Sequence, residues 1–279
     1  MSESNMKPFL DFQRVGHVAV LTMNRIETMN ALSDDDAIDS LVEACTLING
    51  DESIRAAVLT GSGRAFSAGG NLKTIRNQLG AGLGAPVLSQ SAYRKGIQRV
   101  PLAFQALEVP VIAAVNGYAI GAGNDLACMC DIRIASEKAC FAESFVKLGL
   151  SPGDGGAWLL PRAMNRSRAM EMIYTGRMIT AQQALEWNLV SQVVSPESLM
   201  SCALELGQEI AANPPQALRL TKRLMRESEQ SSLATVLEMS AAFQALLHHT
   251  DDHEQALRVH LEWPRRGSTG TAISASSDF

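Results

Sequence analysis

The sequence predicts an α/β core followed by a helical C-terminal region, on three observations. Short apolar runs alternate with amphipathic stretches through the first part of the chain. Two of those runs end in glycine-rich loops that open helices. From Thr180 onward the pattern turns helical, with cap residues at the expected places.

Taken in order, His17–Met23 (HVAVLTM) reads as a strand and Asp34–Ile48 as an amphipathic helix with Ser33 as its N-cap. Ala56–Thr60 (AAVLT) is a short buried strand, followed by a turn at Gly61-Ser62-Gly63. Val111–Val115 (VIAAV) is another, ending at Asn116-Gly117, and Ile132–Ala135 and Ala139–Phe141 read as further strands. Strands alternating with helices imply parallel crossovers. Asn77–Pro101, with its glycines and Pro86, breaks the pattern as a loop or broken helix beside the glycine loops; insertions of this length are more often functional than ordinary connections. Helices are then expected over Thr180–Trp187, Pro196–Asn213, Pro215–Glu229 and Ser232 to about Trp263, with Thr180, Ser195 and Ser231 as N-caps. The division is a core over residues 1–195, a helical region over 196–263, and a Ser/Thr/Gly-rich tail over 264–279 whose composition suits disorder.

Composition narrows the function class. At 279 residues, 46% hydrophobic and 19% charged, the chain can bury a substantial core. A net charge of −5 gives no global positive field for nucleic acid, and Arg162, Arg166 and Arg168 read as a solvated helix face. Cys45, Cys128, Cys130, Cys140 and Cys202 lie in apolar runs without zinc or redox spacing, as expected of a reduced cytoplasmic protein. Residues Met1–Pro8 lack an apolar signal core, and no run reaches the length of a membrane span. His248, His249 and His253 stand near Asp251 and Asp252, with His249 and His253 one helical turn apart. No third ligand completes a metal site there, so none is expected. Met164, Met170 and Met172 read as core filler, and Phe243 as an ordinary packing residue of the C-terminal helices.

The chemistry concentrates in the two glycine loops. In the first, Ala56–Leu72, a buried strand and a turn lead to Phe66-Ser67-Ala68-Gly69-Gly70-Asn71 and a helix opening at Leu72. Gly69 and Gly70 carry no side chain where a ligand's polar atom could approach the backbone. The N–H groups of a helix start lack internal partners and bind developing negative charge. The second loop, Asn116–Gly123, repeats this logic ahead of a helix over Asn124–Met129. Converging N–H donors from two loops would form an oxyanion hole. Gly121-Ala122-Gly123 lacks the full dinucleotide spacing, and neither loop ends in the Gly-Lys-Ser/Thr of a phosphate loop.

These segments, taken together, resemble the crotonase (enoyl-CoA hydratase/isomerase) superfamily over roughly Asp11–Trp263. The resemblance rests on Asn24-Arg25…Asn30-Ala31-Leu32, Phe66–Leu72, Asn116-Gly117…Gly121-Ala122-Gly123…Asp125-Leu126…Cys130–Arg133, and Leu148-Gly149-Leu150…Pro152-Gly153…Gly155-Gly156. It implies a spiral of ββα units with a helical C-terminal region, a homotrimer or dimer of trimers, an acyl-CoA thioester as partner, and no cofactor beyond the CoA moiety of the substrate. By motif position, the oxyanion donors fall on the N–H groups of Gly70 and Ala122. The CoA-holding segments fall on Met29, Ala31 and Leu32, and on Ala68, Gly69, Asn71, Leu72 and Lys73, with Gly121 and Phe145 beside the acyl group.

Three acids are candidates for moving protons. Asp125 stands at a helix start, where the macrodipole favours its charge, and at the position of a catalytic acid in the family. Asp154 either caps the helix near Ala157 or serves as an acid from the glycine turn. Glu143 is either a strand-end charge paired with Arg133 or Lys147, or a group that touches substrate. Where hydratases of the family carry their second glutamate this chain has Phe145, so hydration by paired acids around a water is in question. Two kinds of function follow: proton transfer on an acyl-CoA, by hydration, isomerisation or a related lyase or hydrolase reaction; or a catalytically silent acyl-CoA-binding protein. RNA binding is disfavoured by the acidic balance.

Overall fold

The computed structural model describes residues 8–74, 76 and 85–266. Two compact units divide the chain, Met1–Pro215 and Gln216–Phe279.

The first unit is built on two sheets. The larger has six strands in the order β1 (Leu10–Val15), β2 (Val18–Met23), β3 (Ala56–Gly61), β5 (Val111–Val115), β7 (Ile132–Ser136) and β10 (Gln192–Val194). Only β1–β2 is an antiparallel pair; the other neighbours run parallel. The smaller sheet orders β4 (Ala65–Ser67), β6 (Tyr118–Ile120), β8 (Cys140–Ala142) and β9 (Met178–Thr180). The repeat is legible in this order. β3–β4, β5–β6 and β7–β8 each place one strand in the large sheet and the next in the small one before the chain turns helical. This is the expected spiral of ββα units.

Parallel strands covered on both faces read as unbroken apolar runs. β5 is buried at every position, and β3 at all but its last. One face of the large sheet packs in a core with Phe66, Phe104, Phe141 and Leu126. The other face, Val18, Val58, Ile112 and Ile134, is covered by Leu199 and Ala203 of the helix Leu199–Ala211. Gly207 of that helix would carry a Cβ 3.2 Å from Val18, so its bare backbone lets the helix lie close to the strands.

The second unit consists of helices ending at Ser228, Leu233–Leu247 and Asp251–Arg266. The single helix expected from Ser232 to Trp263 is broken at His248–Thr250, where Thr250 Oγ1 accepts the N–H of His253 and starts a new helix. The break brings His248, rather than His249, to His253, with Nδ1 and Nε2 3.1 Å apart. The second of these helices runs on through Arg266, so the tail's first residues are helical; the rest, from 267, lies outside the described residues.

Other differences are local. The cap of the first long helix is Asp34, which accepts the Ala37 N–H, because Ser33 Oγ is taken by the N–H of Asn71. Ser232, not Ser231, caps Leu233–Leu247, and Ser195 Oγ meets Ser198 Oγ instead of a helix N–H. Thr180 does cap, in a reciprocal box with Gln183. Of the insertion Asn77–Pro101, residues up to Gly84 lie outside the described residues; beyond it run the helices Pro86–Lys95 and Arg99–Gln105. Strands β1, β4, β6, β9 and β10 and the helix Arg166–Thr175 carried too short or too mixed a pattern to be expected.

Candidate active site

The first glycine loop is held from outside by the segment Asn24–Leu32. Asn30 is fully buried, and its Nδ2 donates to the carbonyls of Ala65 at 2.9 Å and Phe66 at 3.1 Å, while its Oδ1 accepts the Arg25 N–H. Ser67 Oγ donates to the Asn30 carbonyl at 2.7 Å and accepts the N–H of Gly69. The Ala68 N–H donates to the Met29 carbonyl, and the Leu32 N–H to the Gly69 carbonyl. Met29 and Asn30 take left-handed backbone conformations to make this turn. Arg25, under the turn, lies over the ring of Phe9 and pairs with Asp34 and Asp36. The structure thus brings Met29, Ala31 and Leu32 together with Ala68 and Gly69. Leu72 and Lys73 stand exposed at the start of the following helical turn, and Asn71 Oδ1 accepts the Lys73 N–H.

The second loop meets the first through bare backbone. A Cβ on Gly69 would lie 3.0 Å from the nitrogen of Ala122 and overlap the carbonyl oxygen of Ile120. A Cβ on Gly123 would overlap the Ser67 carbonyl. Gly121 hangs from the Ala142 carbonyl at 2.8 Å and opens the helix Ala122–Met129. Among the described residues, the N–H groups of Gly70 and Ala122 meet no protein acceptor. The Phe145 ring stands 3.6 Å from the Cβ position of Gly121, beside this loop.

The three candidate acids come together. Asp125, in the first turn of Ala122–Met129, and Glu143, just past β8, are fully buried, and Asp154 is 2% exposed in the turn ahead of the helix Gly156–Ala163. A Cβ on Gly156 would overlap both Asp125 Oδ1 and Glu143 Oε1 and lie 2.6 Å from Asp125 Oδ2, so one bare glycine separates the carboxylates. Asp154 caps nothing: the helix begins after Gly155 with no side-chain bond. Glu143 joins neither Arg133 nor Lys147. Its Oε2 accepts from Asn124 Nδ2 at 3.1 Å, and Arg133 spends its guanidinium on the carbonyls of Cys130 and Leu189.

Such a cluster cannot hold three negative charges. Both oxygens of Asp125, Oε1 of Glu143 and Oδ1 of Asp154 have no donor, which for ionised carboxylates out of water is strongly unfavourable. Burial raises Asp125 well above the usual carboxylate range, with repulsion from Glu143 and Asp154 adding to it. Burial likewise pushes Glu143 up to about 8, against the lowering effect of Asn124, and raises Asp154. A shared proton resolves the missing donors, because a protonated carboxyl donates to its ionised neighbour. Groups so poised take and return protons near neutral pH. One turn further along the helix, burial pushes the thiol of Cys128 up to about 12.

Residues 13–266 match the family described as enoyl-CoA hydratase/isomerase. The chain belongs to that family. It is 38% identical to the 1,2-epoxyphenylacetyl-CoA isomerase of Escherichia coli over 88% of this chain and 92% of that one. It is 34% identical to the short-chain-enoyl-CoA hydratase of Clostridium acetobutylicum, over 90% and 93% of the two. The crystal structure of an enoyl-CoA hydratase from Bacillus anthracis superposes with a TM-score of 0.84 at 35% identity, covering 91% of this chain and 96% of that one. The chain is therefore an acyl-CoA-processing enzyme of the enoyl-CoA hydratase/isomerase family. Among the described residues no helix is long and apolar enough to cross a membrane.

Sequence reasoning did not single out Asn124, Gly156 or the loop-holding role of Asn30. Asn124 left one signal: a polar residue beside Asp125 at the start of a helix buried from Ala122 to Cys128. Gly156 left none, because its meaning lies in two carboxylates distant from it in sequence.

Proposed function

We propose that this family member moves a double bond along an unsaturated acyl-CoA, taking a proton from one carbon of the acyl chain and returning it to another. The observation that carries this reading is the buried cluster of Asp125, Glu143 and Asp154, set beside an apolar Phe145. Hydration in the family holds a water between two acids, and Phe145 stands where the second would be, whereas isomerisation needs only groups that hold and release a proton out of solvent.

The thioester carbonyl would sit between the N–H groups of Gly70 and Ala122, whose open donors suit the enolate oxygen. Asp125 takes the proton, and Asp154, next to it in the cluster, is the second acid of the transfer. The CoA moiety follows Met29–Leu32 and Ala68–Lys73, a course supported by the backbone bonds that join those segments. The reaction is redox-neutral and moves only protons, so it uses no cofactor beyond the CoA of its substrate. A homotrimer or dimer of trimers belongs to the same reading, and light scattering tests it.

The decisive experiment is an assay on a panel of enoyl-, dienoyl- and β-hydroxyacyl-CoA esters in deuterium oxide. Deuterium at the α- and γ-carbons with migration of the double bond and no water addition is the expected result. Water addition as the main reaction overturns the isomerase reading in favour of hydration, and binding without turnover leaves an acyl-CoA-binding protein.

A further inference from the structure

Within that proton-transfer reading, on which this inference rests, Glu143 has a geometry that neither Asp125 nor Asp154 shares. Its carboxylate is tied to a side-chain amide donor on the neighbouring helix. Asn124 Nδ2 occupies Oε2 at 3.1 Å, and this fixes the side chain. The other oxygen, Oε1, is buried without a donor and faces Asp125 Oδ1 across the space that Gly156 leaves empty. Because Oε2 is already accepting, a proton on Glu143 belongs on Oε1, where its acceptor is Asp125. We propose that Glu143 is a positioning residue: clamped by Asn124 through Oε2, it presents Oε1 to Asp125, shares one proton with it, and thereby orients Asp125 and sets its basicity for the substrate proton.

The surroundings fit this role. The titratable groups that act on Glu143 and its neighbours are Asp125 and Cys128 from the helix Ala122–Met129 and Asp154 from the turn before Gly156–Ala163. Arg133, the cation that acts on Cys128, is engaged by two carbonyls. Lys147, on the turn after Glu143, packs along Gly176. With no cation donating to these carboxylate oxygens among the described residues, a proton is what reconciles Glu143 with Asp125. The role requires an acid at 143 and a small amide at 124 together, and a bare glycine at 156 to leave the gap between the two carboxylates.

The test compares the full-length enzyme with E143Q and N124A on the best substrate of the panel. In the wild type, kcat/KM should show an inflection near pH 8, where the Asp125–Glu143 pair loses its shared proton. In E143Q the amide donates at every pH, so that inflection should vanish while KM for the CoA ester stays within about 2-fold. N124A, which frees Glu143, should lower kcat by about 10-fold or more with KM little changed. The wild-type protein gives a second readout that needs no variant: a protonated-carboxyl infrared band at neutral pH that titrates near pH 8 and is lost in E143Q. Superimposable pH profiles for wild type and E143Q, or an infrared band untouched by E143Q, overturn the proposal. These outcomes are separable from failure of the isomerase reading, which the panel in deuterium oxide tests: double-bond migration with unchanged E143Q profiles removes only Glu143 from the mechanism.

Discussion

Gly69 and Ala122 belong to different turns of the spiral, yet a Cβ on Gly69 would stand 3.0 Å from the amide nitrogen of Ala122. The two donors of the proposed oxyanion hole are thus fixed relative to each other by direct backbone contact and by no intervening side chain.

Gly69→Ala should therefore disable the enzyme more than it unfolds it. Gly69 has φ +72°, so an alanine there is strained by roughly 1–3 kcal/mol, and its methyl group pushes on the Ile120 carbonyl. Separating the loops should lower kcat by about 10²-fold or more, the typical effect of losing one oxyanion donor. Steady-state kinetics beside a denaturation curve measures both; wild-type kcat in a folded variant would show that the contact is dispensable.

Asp125→Asn should lower turnover by orders of magnitude and leave CoA-ester binding largely intact. The substitution keeps the shape of the side chain and removes one of three mutually repelling acids, so the fold should hold. Calorimetric binding with turnover assayed in parallel is the check, and unchanged turnover removes Asp125 from the chemistry.

Asn30→Ala should destabilise the protein by about 2–4 kcal/mol. It removes the side-chain donor to the buried carbonyls of Ala65 and Phe66 and the acceptor of the Arg25 N–H, and it places alanine at φ +57°. Urea denaturation reads the loss. A change within about 0.5 kcal/mol would mean that the first loop holds its shape without Asn30.

Stability should fall as the pH rises from about 4.5 to about 8. Glu143 titrates near 4.5 when unfolded and near 8 when folded, so between those values the native state binds more protons than the unfolded one. Each bound proton gives a slope of about 1.4 kcal/mol per pH unit, favouring the folded state at the acid end. The raised Asp125 and Asp154 act in the same direction. Melting temperatures across that range test it against E143Q, whose slope should be shallower; parallel slopes would contradict the assignment to Glu143.

Much of this architecture was legible in the sequence because it is carried by local pattern. The apolar runs at Ala56–Thr60 and Val111–Val115 could only be strands buried on both faces, and each fell where expected. The three-residue strands β4, β6 and β9 were invisible for the opposite reason: they are too short to show a period, and tertiary pairing alone makes them strands. The same division runs through the site. Gly69, Gly70, Ala122 and Asp125 stand in contiguous motifs. The tie between Asn124 and Glu143 joins residues of different elements, and no spacing rule encodes it. Ser33 shows how a sound local rule yields to a longer-range partner: it has the chemistry of a cap but bonds to Asn71.

The burial of Cys128 bears on how such an enzyme survives its own substrate. An α,β-unsaturated thioester is an electrophile toward thiolates, and this thiol lies one helical turn from Asp125. Burial pushes its titration up to about 12, so the thiol stays protonated at neutral pH. The apolar packing that makes the neighbouring carboxylates reluctant to ionise thus also keeps the sulfur inert, protecting the catalyst from alkylation by the compound it handles.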